Sequence, residues 1–214
     1  MQKIFDLLEM KVCFGCSLIG DYFCGECKGS FVRRSIRLDS RLKLSVVGNQ
    51  NPALMRAISA WKDRHLKKLT PIFAQLLSDE IPELRNGKNF QIVTPPVRKS
   101  AYRSRGFLPI ADLAKELCRR NSNLLHVQST LTLDRNINDQ RTLSYKERKS
   151  NLHGAFSCSR SPEYPVIMLD DVVTSGATFL EMYRVLPSLN QPQLAIALAS
   201  SHNLFGLKNH NLFS

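Results

Sequence analysis

The 214-residue chain has no run of about eighteen consecutive apolar residues, so no segment is expected to span a bilayer. Its first ten residues mix Lys3, Asp6 and Glu9 into a short apolar stretch, so no secretory leader is expected there. Cysteine is sparse outside one short window. Four of the six cysteines fall between Cys13 and Cys27, while Cys118 and Cys158 stand alone, a distribution that argues against a disulfide framework. Taken together, these absences place the chain in the cytoplasm, where thiols remain reduced. Acid is also in short supply, with 18 Asp+Glu against 30 Lys+Arg and a formal net charge of +12.

Hydrophobic residues at 43% and charged residues at 22% are ordinary globular values, and the length suits one α/β core with a small appendage. The positive charge is concentrated. Arg33 to Lys68 holds ten basic residues against Asp39 and Asp63, whereas the chain from Val166 onward is nearly neutral. Such a segment suits a polyanion, and it equally suits a solvated face that keeps the protein in solution.

The pattern divides the chain into a cysteine-built unit at 1–32, a basic connector with two helices at 33–80, an α/β unit at 81–200 and a tail at 201–214. Residues 33–48 carry little helical periodicity. Asn51 is a candidate N-cap with Pro52 at the first helical position, and Leu54, Ile58, Trp61 and Leu66 recur at about one-turn spacing. Thr70-Pro71 repeats the start signal ahead of Ile72, Phe73, Leu76 and Leu77. Strands are then expected at 91–94, 127–133, 166–169 and 194–199, with helices at 108–121 and 177–189. That alternation predicts a parallel sheet covered on both faces, with Val166-Ile-Met-Leu169 as its central strand.

The most informative string is Asp170-Asp171-Val-Val-Thr174-Ser175-Gly176-Ala177-Thr178, which follows that strand and opens a helix. Ligands of open α/β sheets bind beyond the carboxyl ends of strands. Three hydroxyls, small residues and the unpaired amides of a helix start suit a phosphate. Two adjacent carboxylates would repel that phosphate unless they meet sugar hydroxyls or a divalent cation, so the string reads as ribose plus phosphate. The plainer alternative is that the two aspartates cap a helix and solvate a strand end.

This string resembles the signature of type I phosphoribosyltransferases, which bind 5-phosphoribosyl 1-pyrophosphate with Mg²⁺. The resemblance implies that Asp170 and Asp171 contact the ribose hydroxyls and that Thr174, Ser175, Gly176, Ala177 and Thr178 hold the 5′-phosphate. In an active enzyme the same two carboxylates are the catalytic candidates, stabilising positive charge at the anomeric carbon.

Cys13-x-x-Cys16 and Cys24-x-x-Cys27, seven residues apart and each with an internal glycine, can present four thiolates tetrahedrally to Zn²⁺. Four protein ligands leave no open position, so the zinc is expected to be structural. A redox pair and iron–sulfur ligation are the rival readings.

Two further segments complete the picture. Arg98, Lys99, Arg103 and Arg105 follow the strand at 91–94 and could neutralise a pyrophosphate. Ser144 and Glu147 form a capping box in the stretch 141–156. The order of cysteine knuckle, Trp61-Lys62-Asp63 helix, Arg105-Gly-Phe107, the 140–156 segment and the Asp170 loop resembles the ComF family. Here Leu108-Pro109 replaces the Asn-Gln usual after Arg-Gly-Phe, and Thr94-Pro95-Pro96 replaces Pro-Val-Pro.

That resemblance implies a fold of the type I phosphoribosyltransferase kind and a role in competence or in the use of DNA. The implied partners are single-stranded DNA, a DNA-uptake helicase or recombination proteins, and a phosphoribosyl ligand. Arg56, Lys62, Arg64, Lys67 and Lys68 are the candidate nucleic-acid contacts. Trp61, Tyr102 and Phe107 could stack bases, although a helical Trp at this spacing also suits a core. The competing activity is transfer of phosphoribose to a small nucleobase or amine; no residue suggests a hood that would recognise the base.

Overall fold

The computed structural model describes residues 10–38, 42–79, 88–97, 106–127, 130–135, 151–187 and 194–200. The strands are β1 (Arg34–Arg37), β2 (Lys43–Asn49), β3 (Phe90–Val93), β4 (Leu124–His126), β5 (Leu131–Leu133), β6 (Phe156–Cys158), β7 (Val166–Val173) and β8 (Leu194–Ser200). The helices are α1 (Gly25–Gly29), α2 (Pro52–Asp63), α3 (Thr70–Ser78), α4 (Pro109–Arg120) and α5 (Ala177–Val185). The main sheet runs β1-β2-β8-β7-β3-β4 and is parallel except for β1, while β5 and β6 form a separate antiparallel pair. This is the expected mixed α/β architecture, with β7 central.

Alternation along the strands divides the interior in two. On β7, Ile167 and Leu169 join the cluster that contains α2, α3 and α4, whereas Val166 and Met168 join the cluster on the opposite face with α5. Both faces are therefore buried, which is why Val166-Ile-Met-Leu carries no polar alternation. Among the described residues, no helix is long and apolar enough to cross a membrane.

The start of α2 follows its sequence signal: the Asn51 side chain accepts the Leu54 N–H at 3.0 Å, with Pro52 in the first turn. The start of α3 differs. A 3₁₀ turn at Lys67–Leu69 feeds the helix directly, and Thr70 lies inside it rather than capping it. The Thr70 hydroxyl instead accepts the Trp61 indole N–H at 2.9 Å. Trp61 is fully buried against Phe73, so it belongs to the core.

Three expectations are corrected. The basic connector at 33–48 contains β1 and β2, whose register Arg34↔Val46 to Arg37↔Lys43 forms the sheet edge. Arg34 and Arg37 lie exposed on β1, and the cations of this stretch obscured the buried run Leu44 to Val47. Of the strand expected at 127–133, the described part is the short β5 at Leu131–Leu133, while β4 at Leu124–His126 precedes the expected range and belongs to the main sheet. Finally, α5 stops at Val185 because Leu186, held extended at ψ 138°, precedes Pro187. The Ser144–Glu147 capping box and the tail lie outside the described residues.

A polar contact ties α5 to the β5–β6 pair. Glu181, 4% exposed, accepts the N–H groups of Ala155 at 2.9 Å and Phe156 at 3.2 Å, and Arg184 grips its carboxylate at 2.8 and 2.9 Å. Burial pushes its carboxyl up, but Arg184 and the two amides outweigh that and hold it below the ordinary value. Glu181→Ala removes the side-chain acceptor of the Phe156 N–H, leaves the Ala155 N–H with the Leu152 carbonyl and Arg184 with the Phe156 carbonyl, and should cost about 1–3 kcal/mol in urea unfolding. Because the folded pKa is depressed, the deficit should be full above the ordinary glutamate value of 4.5 and should shrink as pH falls through the folded value.

Candidate functional site

Two constellations stand out: the carboxyl end of β7 with the loop leading into α5, and the four cysteines. At the first, β7 continues through both aspartates rather than stopping at Leu169. The carboxylates are not equivalent. Asp171 is 5% exposed and its Oδ2 pairs with Nζ of Lys62, from the last turn of α2, while its Oδ1 accepts the Val172 N–H at 2.6 Å. Asp170 is half-buried, accepts the Asp171 N–H at 2.9 Å, and has no cation paired with it among the described residues. Burial and the Asp171 charge push its carboxyl up to about 7 against the opposing pull of Lys62.

After β7, Gly176 takes φ 74° and caps α5. Any side chain there would be strained by the left-handed backbone, and its Cβ would lie 2.9 Å from Leu38 Cδ2. Thr174, Ser175 and Thr178 remain partly exposed around this turn, and Ser175 Oγ accepts the Ala177 N–H at 3.4 Å. The turn thus offers hydroxyls and helix-start amides, with the open carboxylate of Asp170 on the strand that leads into it. Arg98, Lys99, Tyr102, Arg103 and Arg105 lie outside the described residues.

The surface cations divide. Lys62 is turned inward to Asp171. Arg56 donates twice to the Phe14 carbonyl, through Nε at 3.1 Å and Nη2 at 2.5 Å, and so ties α2 to the cysteine unit. Arg64, Lys67 and Lys68 are exposed. Lys67 lies 5.1 Å over the ring of Phe107, which His65 also covers edge-on at 5.6 Å. Phe107 is buried, which leaves little of its ring free to stack a base.

The four cysteine sulfurs all lie within 4.8 Å of one another, with Cys13–Cys24 at 3.8 Å and Cys16–Cys24 at 3.7 Å. A tetrahedral ion with metal–sulfur bonds of about 2.3 Å requires sulfurs about 3.8 Å apart, so the cluster can hold a metal ion. Gly15 is required by contact: a Cβ there would meet Cys27 Cβ at 2.8 Å and its Sγ closer still. A Cβ at Gly25 would meet nothing within 4 Å. N–H groups of Gly15 and Cys24 point at Cys13 Sγ at 3.4 and 3.5 Å. Burial pushes the Cys13 thiol up, but N–H groups of Cys16, Cys24 and Gly15 bring it down to about 6. The neighbouring sulfurs of Cys24 and Cys13 push Cys27 up to about 12, as expected where several thiolates share a site that only a cation can neutralise.

No protein-family model matches the chain. Among curated proteins it is similar to "Competence protein F" of Haemophilus influenzae, 24% identical over 192 residues, covering 86% of this chain and 82% of that protein. It is also 31% identical over 156 residues to "DNA utilization protein YhgH" of Escherichia coli, and 30% identical over 156 residues to the protein of that name in Shigella flexneri. The chain belongs to the ComF family. The matched region covers 67% of this ComF-family chain and 65% of each DNA utilization protein, just under two thirds of their length. Sequence reading had missed Glu181, whose signal was a lone acid on the apolar stripe of α5. It had also set Lys62 among the surface cations, since the sequence alone does not show which side of a helix end meets a neighbouring strand.

Two outcomes test this geometry. The raised pKa of Asp170 means that between the ordinary value of 3.8 and about 7 the folded chain retains a proton that the unfolded chain releases. Stability should therefore fall as pH rises through that window. Asp170→Asn should gain about 2 kcal/mol over wild type in urea unfolding at pH 8 and little below pH 4. Stripping bound metal with a chelator should lower the thermal midpoint by about 5–10 °C, because Phe14, Tyr22 and Phe23 belong to the same core as Trp61. An unchanged midpoint after complete metal removal would show that the cysteine unit holds itself without an ion.

Proposed function

We propose that this protein binds 5-phosphoribosyl 1-pyrophosphate with Mg²⁺ at Asp170–Thr178 and handles single-stranded DNA in competence or DNA utilisation. The observation that carries the ligand is the end of β7: an open carboxylate is followed by a hydroxyl-lined turn through left-handed Gly176 into the N-terminus of α5. A plain helix start needs one capping side chain, whereas this one has three hydroxyls and two acids. Ribose hydroxyls would meet Asp170, and the 5′-phosphate would meet the turn and the first amides of α5.

The names of the relatives supply the DNA role. The exposed cations Arg64, Lys67 and Lys68 would track a phosphate backbone, so binding should weaken steeply with salt. Zn²⁺ fits the four-thiolate cluster. It would serve structurally, through Cys13, Cys16, Cys24 and Cys27, by fixing the cysteine unit against α2. The cysteine unit at 1–32 would then serve the sheet domain, to which the segment at 33–80 contributes β1, β2, α2 and α3 and the segment at 81–200 the phosphoribosyl-binding loop.

Transfer to a nucleobase or amine is the second reading. It draws on Asp170 and Asp171, which could stabilise positive charge at the anomeric carbon. Against it, Pro109, which stands in place of the usual Gln, is buried in the first turn of α4 and offers the ligand no side-chain polar group.

Calorimetric titration of the metal-loaded protein with 5-phosphoribosyl 1-pyrophosphate and Mg²⁺ tests the pocket. Binding should be lost in the Asp170→Asn, Asp171→Asn double variant, and a folded wild type that binds nothing refutes the reading. Arg64→Glu with Lys67→Glu should lower affinity for a single-stranded oligonucleotide by about tenfold or more at low salt. Pyrophosphate release with a panel of bases separates binding from transfer.

A further inference from the structure

Lys62 is an unusual lysine. Its side chain is only 23% exposed, and its partner Asp171 is 7% exposed by the same measure, so the carboxylate is buried and the ammonium has given up much of its hydration to meet it. A lysine kept for solubility would not give up its hydration in this way. The pair is held in place on both sides. Asp171 is fixed through its second oxygen by the Val172 N–H. Helix α2 is pinned by the adjacent Trp61, buried and bonded to Thr70, and by Arg56 on the Phe14 carbonyl.

The location matters as much as the burial. Asp171 lies at the carboxyl end of β7, three residues before the turn that begins at Thr174. Two ionised aspartates alone would set two negative charges against an incoming phosphate. Lys62 offsets that of Asp171, so that only Asp170 is left without a cation of its own. Among the described residues, no other cation pairs with either aspartate.

We infer that Lys62 is a binding residue of the phosphoribosyl pocket, where it neutralises Asp171 and supplies the fixed positive charge that favours a phosphorylated ribose over an uncharged nucleoside. This rests on the pocket proposed above. Asp170 and Lys62 then divide the work: the open carboxylate meets sugar hydroxyls, and the ammonium offsets negative charge that the ligand would otherwise meet. The same contact gives α2 a direct hold on the pocket, although it lies far from the Asp170 loop in sequence.

The test compares 5-phosphoribosyl 1-pyrophosphate with Mg²⁺ and an unphosphorylated nucleoside, titrated into wild type and Lys62→Gln by calorimetry, with metal content and thermal midpoint measured on the same samples. Lys62→Gln should weaken the phosphorylated ligand by about 10- to 100-fold and should narrow its preference over the nucleoside. Because Lys62→Gln strands a buried carboxylate, Asp171→Asn is also compared with the Lys62→Gln, Asp171→Asn double variant, in which no uncompensated charge remains. The double variant should still bind at least fivefold more weakly than Asp171→Asn, since the cation itself is missing. If wild type binds and neither comparison moves the affinity by more than twofold, the role of Lys62 is overturned and the pocket stands. If folded wild type binds neither ligand, the pocket fails and this inference fails with it.

Discussion

Trp61 is buried completely against Phe73, with its indole N–H on Thr70, and this placement sets the rotation of α2 about its axis. With that rotation fixed, Lys62 must face the sheet and meets Asp171, while Arg64 turns outward. Seven residues earlier on the helix, Leu54 is buried in the same core, and Arg56 reaches back to the Phe14 carbonyl. One helix therefore connects the cysteine unit to the carboxyl edge of the sheet. The rest of the candidate site depends on that connection, because the Asp170 loop supplies hydroxyls and carboxylates but no cation.

The carboxylates illustrate how a shared motif can hold two roles. Neighbouring residues on a strand point to opposite faces, so adjacent aspartates experience different surroundings. Asp171 meets a lysine and an amide and sits in a satisfied buried pair. Asp170 is burdened by burial and by its neighbour's charge, which keeps its proton affinity near neutrality and leaves it prepared to gain from a ligand that satisfies it. The cysteine cluster presents a parallel case on a smaller scale: thiols that cannot all ionise together become compatible once a cation lies among them.

Rigid support surrounds both centres. Phe14, Tyr22 and Phe23 extend the core beneath α2 into the cysteine unit, so that unit is packed against the sheet domain rather than tethered to it. On the opposite face, Glu181 holds the amides of Ala155 and Phe156, which fixes the β5–β6 pair beside α5. Ala155 and Phe156 are thus anchored to the very helix whose N-terminus opens the candidate pocket.

The features set by local chemistry are legible along the chain. The apolar run Val166-Ile-Met-Leu marks a buried strand because only a strand covered on both faces lacks polar alternation, and Asn51-Pro52 marks a helix start because the cap is made within one turn. The paired Cys-x-x-Cys motifs bring thiols together through short turns whatever surrounds them. Tertiary structure decided what depends on distant partners. The basic stretch at 33–48 became the strands at the sheet edge once β8 lay alongside β2, because pairing outweighs the charge of exposed side chains. Thr70 serves Trp61 rather than a helix end. Lys62 left the surface because Asp171, more than one hundred residues away, offered a buried charge to neutralise, and no periodicity within α2 records that partner.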